Sequence, residues 1–181
     1  MITAAIQEKV KQHFQSIKEP VAIEASLDQT EASVQLKEVL LALEASSDKI
    51  SVFWNGTDAR KPSFSIRKQR SSQHVAAGPD EVLGDQGASL VDQGFVVQQV
   101  DDHALRFAAI PLGHEFSSLV LALLWAGGHP PRVSQAQLEQ IKLLTGDLRF
   151  EVYMSLSCHN CPDVVQALSL MALINPAVKT V

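Results

Sequence analysis

The two cysteines of the 181-residue chain lie three positions apart, in Ser157-Cys158-His159-Asn160-Cys161-Pro162. Two thiols at that spacing can close a small disulfide ring. Residues 148–155 read as a strand leading into the motif. After it, Val164, Val165, Leu168, Met171 and Leu173 recur as on a helix. The first turn of a helix has free N–H groups, and the dipole there is equivalent to about half a positive charge, so thiolate is favoured over thiol. Thiols in such settings fall from about 8.5 to between about 3.5 and 7.5. A thiolate near neutral pH attacks a disulfide and is itself a fair leaving group. A protonated His159 adds to that bias, and Pro162 suits the first helical turn, where its missing N–H costs nothing. The motif therefore supports reversible dithiol–disulfide exchange at a thioredoxin-like site, with Cys158 as nucleophile and Cys161 as resolver. Two other readings stay open. A zinc site would need His103, His114 or His129 to complete four ligands. Two buried, inert cysteines need nothing further.

The elements that position the pair follow from apolar spacing. Ile6, Val10, Phe14 and Ile17 predict a helix over residues 3–18, ended by Pro20. A short strand follows over 21–26. Asp28 and Glu31 have the spacing of a capping box, and Leu36, Val39, Leu40 and Leu43 give a helix over 31–46. Residues 50–54 read as a second strand, ending at Asn55-Gly56. This β-α-β order favours a parallel pair. Pro62 opens a strand over 63–67. Residues 68–94 form a polar loop with glycines at 78, 84, 87 and 94, in which Leu90-Val91 could be a short strand. Residues 95–100 and 104–109 suggest a hairpin. A helix over 115–126 is closed by Gly127-Gly128, and His129-Pro130-Pro131 leads to a helix over 134–144. The chain finishes with the strand before the cysteines, the helix after them and a strand over 177–181.

Composition narrows the function classes. Hydrophobic residues make up 46% and charged residues 19%, enough to bury a core. A net charge of −5 lacks the basic excess of a nucleic-acid footprint. The N-terminus carries charges where a secretory signal needs an unbroken apolar run. The longest apolar run, Leu119 to Ala126, is far short of the roughly 20 residues of a membrane span and reads as a buried helix. A soluble cytoplasmic protein with no membrane partner is the expectation. Two cysteines cannot staple a secreted scaffold, and the length allows one large domain or two small ones.

The chain also looks duplicated. Val21-Ala-Ile-Glu-Ala-Ser-Leu27 lies on Phe150-Glu-Val-Tyr-Met-Ser-Leu156, each preceded and followed by a helix. In that ungapped register Gln29 falls opposite Cys158 and Ala32 opposite Cys161, so the first half has no thiols.

Three stretches carry a family resemblance: Arg60-Lys-Pro-Ser-Phe64, the run from Pro111-Leu-Gly-His-Glu115 to Gly-Gly-His-Pro130, and the run from Tyr153 through the cysteines to Leu168. They resemble the N-terminal domain of the flavoprotein component of bacterial alkyl hydroperoxide reductases, which reduces peroxiredoxins. The similarity covers nearly all of the chain outside residues 68–105. It implies an α/β chain of tandem thioredoxin-like folds, with CxxC only in the second. Electrons would pass from NADH to FAD, to a cysteine pair of the flavoprotein portion, to Cys158 and Cys161, and on to the disulfide of the partner peroxiredoxin in peroxide detoxification. Glu115 would lie near the redox pair, tuning its pKa or accepting a proton; His114 has a weaker case and reads as a packed or exposed histidine. Pro62 would be the cis-proline that thioredoxin-like folds place before a strand.

The sequence also departs from the family pattern. It contains no Gly-x-Gly-x-x-Gly, so neither FAD nor NADH has a site in this chain and both are expected in the flavoprotein part. After Cys161 there is room for only one helix and one strand. The expected division is therefore a first thioredoxin-like unit over 1–130 and the start of a second, truncated at its C-terminal end, over 131–181. An incomplete sheet exposes a strand edge that a homodimer could cover. The competing functional readings are a non-catalytic docking module and the zinc site.

Overall fold

In the computed structural model residues 3–68, 105–155 and 157–181 are described. Helix α1 (Ala4–Phe14) begins where the Thr3 side chain accepts the Ile6 N–H, and it buries Val10 and Phe14. It ends earlier than the apolar spacing predicts. Ser16 and Ile17 continue only as turns, and the Lys18 and Glu19 N–H groups donate to the Gly127 carbonyl at 2.8 and 3.0 Å, which pulls the chain out of the helix. Ile17 is buried all the same.

Strand β1 (Val21–Ser26) leads into α2 (Glu31–Glu44) and β2 (Ile50–Phe53), and β1 and β2 are parallel, as the β-α-β pattern predicts. The cap of α2 is a correction to the sequence reading. Thr30, not Asp28, is the N-cap, and its side chain accepts the Ser33 N–H. Asp28 lies outside the helix and accepts from the Thr30 N–H, the Thr30 hydroxyl and the Ser33 hydroxyl. Strands β3 (Ser63–Lys68) and β4 (Leu105–Phe107) complete a four-stranded sheet of order β2-β1-β3-β4, with both added pairings antiparallel. The Lys61–Pro62 bond before β3 is cis, as the resemblance implies. Loop 68–94 beyond Lys68, the strand at Leu90-Val91, the first hairpin arm over 95–100 and His103 lie outside the described residues.

A 3-10 turn (Gly113–Glu115) opens α3 (Phe116–Ala126), the long apolar run, which is buried as expected through Leu119, Ala122, Leu123 and Leu124. Its end is a Schellman motif: the Gly128 N–H donates to Trp125 and the His129 N–H to Leu124, with Gly128 at φ 81°. The core of the sheet gathers Phe14, Leu36, Leu40, Leu43, Phe64, Ile66, Leu119 and Leu123, and Phe64 stacks on Phe107 with centroids 5.2 Å apart.

Helix α4 (Gln135–Lys142) has Ser134 and Gln137 as a reciprocal capping box. Then β5 (Leu148–Phe150), α5 (Cys161–Ile174) and β6 (Val178–Thr180) form a second parallel β-α-β unit, its two strands making a separate sheet. The strand predicted over 148–155 is confined to its first three residues. Its ladder reaches only to Val152, whose N–H donates to the Val181 carbonyl; beyond it no strand pairing continues among the described residues, and Tyr153 is 88% exposed. Asn175 closes this part by donating to the Ile141 and Leu144 carbonyls at the end of α4.

Helices α2 and α5 each have 14 residues and each joins two parallel strands. With the two helix starts superposed, Glu31 stands opposite Cys161 and Asp28 opposite Cys158. This is one position off the ungapped Gln29/Ala32 register, because the strand-to-helix turns differ in length.

Candidate active site

Cys158 and Cys161 form a disulfide with their Cα atoms 5.5 Å apart. Helix α5 begins at Cys161 itself, with Asn160 as N-cap and Pro162 in the first turn, so Cys158 precedes the helix rather than belonging to it. The Cys158 N–H donates to the Ser155 carbonyl at 2.9 Å, which turns the chain into the motif. Asn160 contributes no side-chain cap, leaving the first-turn N–H groups of α5 without that acceptor. Both cysteines are half-buried, while His159 and Asn160 between them are exposed. Val165 anchors the helix, at 7% exposure. Val164, placed on the apolar face by the sequence pattern, is 52% exposed and stands in the first turn beside the pair.

Glu115 stands at the start of α3, in the turn that packs against α5. Gly113 takes φ 60°, a conformation glycine adopts without penalty, and the 3-10 turn after it packs against α5. Glu115 is fully buried. Its Oε2 accepts a hydrogen bond of 2.8 Å from the Ser118 hydroxyl, and its Oε1 is buried without a partner. Ser118 is itself fully buried, and its hydroxyl accepts from Nε2 of Gln166, on α5, at 3.3 Å. The neighbouring His114 lies with its ring 4.5 Å from that of His159, between the cysteines. The fold thus brings the Gly113–Glu115 turn and the CxxC segment together across 43 residues of sequence.

Sequence reasoning named Cys158, Cys161 and Glu115 but missed Ser118, Gln166 and the His114–His159 contact. Ser118 follows Glu115 by three, a helical hydrogen-bonding distance that could have flagged it. Gln166 meets it only through the packing of α5 on α3. Of the histidines weighed for a zinc site, His129 belongs to the end of α3 and His114 is exposed. Among the described residues no group of three or more His, Cys, Asp or Glu could hold a metal ion.

The corresponding helix start in the first half carries a polar network. The Ser33 hydroxyl, then the Thr30 hydroxyl and N–H, hold the Asp28 carboxyl down at about 2, against 3.8 for a free aspartate. A depressed folded value means that the network stabilises the fold above the free value and that this contribution is lost as pH falls from about 4 through about 2. A carboxyl-carbon NMR titration should place Asp28 near 2 in the wild type, and Ser33→Ala should raise it towards the free value. An unchanged titration in Ser33→Ala would mean that the hydroxyl does not hold the charge.

Arg60, just before the cis bond, pairs with Glu151 beyond β5. The guanidinium holds Glu151 below the usual carboxylate range, and Glu151 in turn pushes up the Tyr153 phenol that donates to it.

A disulfide between cysteines three apart, at the start of a helix that follows a strand, defines a thioredoxin-like site. The solved structures agree on the fold. Over 99% of this chain and 78% of the other, it superposes with a TM-score of 0.74 and 24% identity on the NTD_N/C domain of the alkylhydroperoxide reductase AhpF of Enterococcus faecalis. Over 99% of this chain and 74% of the other, it superposes with a TM-score of 0.69 and 16% identity on a protein disulfide oxidoreductase of Aeropyrum pernix. No protein-family model matches. By sequence, the chain is homologous along its whole length to part of AhpF, the F component of alkyl hydroperoxide reductase. It is 42% identical over 181 residues to AhpF of Pseudomonas putida and 42% identical over 180 residues to that of Escherichia coli, spanning 29% of the length of each. A Bacillus subtilis protein named as an NADH dehydrogenase is 36% identical over 176 residues.

Proposed function

We propose that the chain is a dithiol–disulfide relay domain of the AhpF type, taking electrons from a flavoprotein module and passing them to a peroxiredoxin. The observation that carries this is the half-buried Cys158–Cys161 disulfide at the start of α5, in a chain homologous to part of AhpF. The residues proposed for the chemistry are Cys158 as nucleophile, Cys161 as resolver and Glu115 as proton acceptor. The unit over 131–181 carries the pair, and the unit over 1–130 supplies the four-stranded sheet, α3 and Glu115.

The reduced Cys158 thiolate attacks one sulfur of the partner's disulfide. That S–S bond breaks, a partner thiolate leaves, and a mixed disulfide joins the two proteins. Cys161 then attacks the Cys158 sulfur, its proton passing to Glu115. The ring closes, and the second partner sulfur leaves as thiolate. Two electrons have moved to the partner, and the chain is left with the disulfide seen in the structure.

FAD and NADH do not fit the strand-to-helix turns of the two β-α-β units among the described residues. The turn from β1 into α2, Leu27-Asp28-Gln29-Thr30, has no glycine, and the Asp28 carboxylate already accepts the Thr30 N–H. A pyrophosphate there would meet a negative charge in place of a glycine-lined cradle. The second turn is closed by the disulfide and Pro162. No step at these turns is therefore routed through either cofactor, and their chemistry is assigned to the flavoprotein module.

The decisive experiment mixes the reduced chain with an oxidised peroxiredoxin and counts thiols on each protein after separation. The expected outcome is two thiols lost from the chain for two gained by the partner. A pair that stays reduced, or that mild oxidant cannot close into a disulfide, would overturn the reading.

A further inference from the structure

Buried carboxylates need their oxygens satisfied, and Glu115 is served unevenly. One oxygen accepts from Ser118, while the other, equally enclosed, has no partner. The Ser118 hydroxyl has a single proton and gives it to Glu115, so Gln166 must be the donor in the contact between Ser118 and Gln166. The chain of bonds is therefore directional. The Gln166 amide on α5 donates to Ser118, and Ser118 donates to Glu115 Oε2, which leaves Oε1 as the free acceptor. Gln166 stands five residues after Cys161 on the same helix, so the tie runs from the redox helix to the carboxylate.

We infer that Ser118 and Gln166 are positioning residues for the redox chemistry, fixing Glu115 so that its unpartnered oxygen takes the Cys161 proton as the mixed disulfide resolves. The inference rests on the relay function proposed above. Neither residue touches the reacting sulfurs in this role. Each acts through Glu115, and a displacement of about 1 Å in such a group can cost up to about 100-fold in rate.

The test uses the whole chain and the aromatic disulfide reagent DTNB. Reduced Cys158 attacks the reagent and releases one coloured thiolate. Cys161 then displaces the second, and the rate of that second phase is the resolution step. Ser118→Ala and Gln166→Leu remove one donor each and keep the side chains close to native volume. Both should slow the second phase about 10-fold near neutral pH, with Ser118→Ala the slower. The deficit should vanish well above pH 8.5, where a thiol ionises without help. In a Glu115→Gln background, Ser118→Ala should slow the step no further, because its effect runs through the carboxylate.

Second phases that match the wild type across the pH range would overturn the inference. So would a slowing that does not depend on pH, because that would indicate a general disturbance of α5. If the wild type shows no second phase at all, the relay reading itself fails, and that outcome is distinct from failure of the positioning role.

Discussion

Replacing Cys158 by serine should abolish disulfide exchange, lowering peroxiredoxin reduction by on the order of 10³-fold or more, because a hydroxyl at that position is a poor nucleophile towards sulfur. The structure leads to an asymmetric expectation for the two cysteines. Cys161 is the first residue of α5, whereas Cys158 precedes the helix on a turn held by the Ser155 carbonyl. A Cys161→Ser chain should therefore still attack the partner and then stall, accumulating a mixed disulfide visible as a larger species on a non-reducing gel. If Cys158→Ser retains activity, the docking reading gains at the expense of the relay. If the trapped species forms through Cys161 instead, the roles of the two cysteines are reversed.

Glu115→Gln should have the next largest effect. The amide keeps the shape of the buried side chain and can still accept from Ser118, but it cannot take a proton. Loss of a positioned proton acceptor typically costs about 10²- to 10⁴-fold. We expect the lower end near neutral pH, since water can slowly accept the proton of a half-buried thiol. The resolution rate of the variant should then climb with pH and converge on the wild type above about 8.5, where Cys161 ionises on its own. A Glu115→Gln rate and pH profile equal to those of the wild type would leave Glu115 with a structural role only, as the partner of Ser118.

Much of this was legible in the chain itself. The three-residue cysteine spacing, with strand-like residues before it and helical spacing after it, pointed to the disulfide that closes between Cys158 and Cys161. Local patterning located β1, α2, β2, α3 and the Ser134 cap to within a few residues, because amphipathic period and capping are nearest-neighbour effects. The two clearest errors have non-local causes. Helix α1 stops early because Lys18 and Glu19 bond to Gly127, more than a hundred residues away. The strand before the cysteines is short because a ladder exists only where a partner backbone runs beside it, and a single sequence cannot show that partner. The choice of Asp28 as helix cap failed for a local reason: Thr30 competes for the same role and wins, and Asp28 turns back onto Thr30 and Ser33.

The residue types and their spacing determined that Cys158 and Cys161 can close a disulfide, since both thiols lie within one turn of a helix start. Tertiary structure alone decided what surrounds the pair. Packing α5 against α3 and the Gly113–Glu115 turn buries Glu115 completely, places His114 against His159 and lets Gln166 reach Ser118. These contacts join residues more than forty positions apart, and only the burial of apolar side chains between the two helices, Leu119 and Val165 among them, brings the segments together.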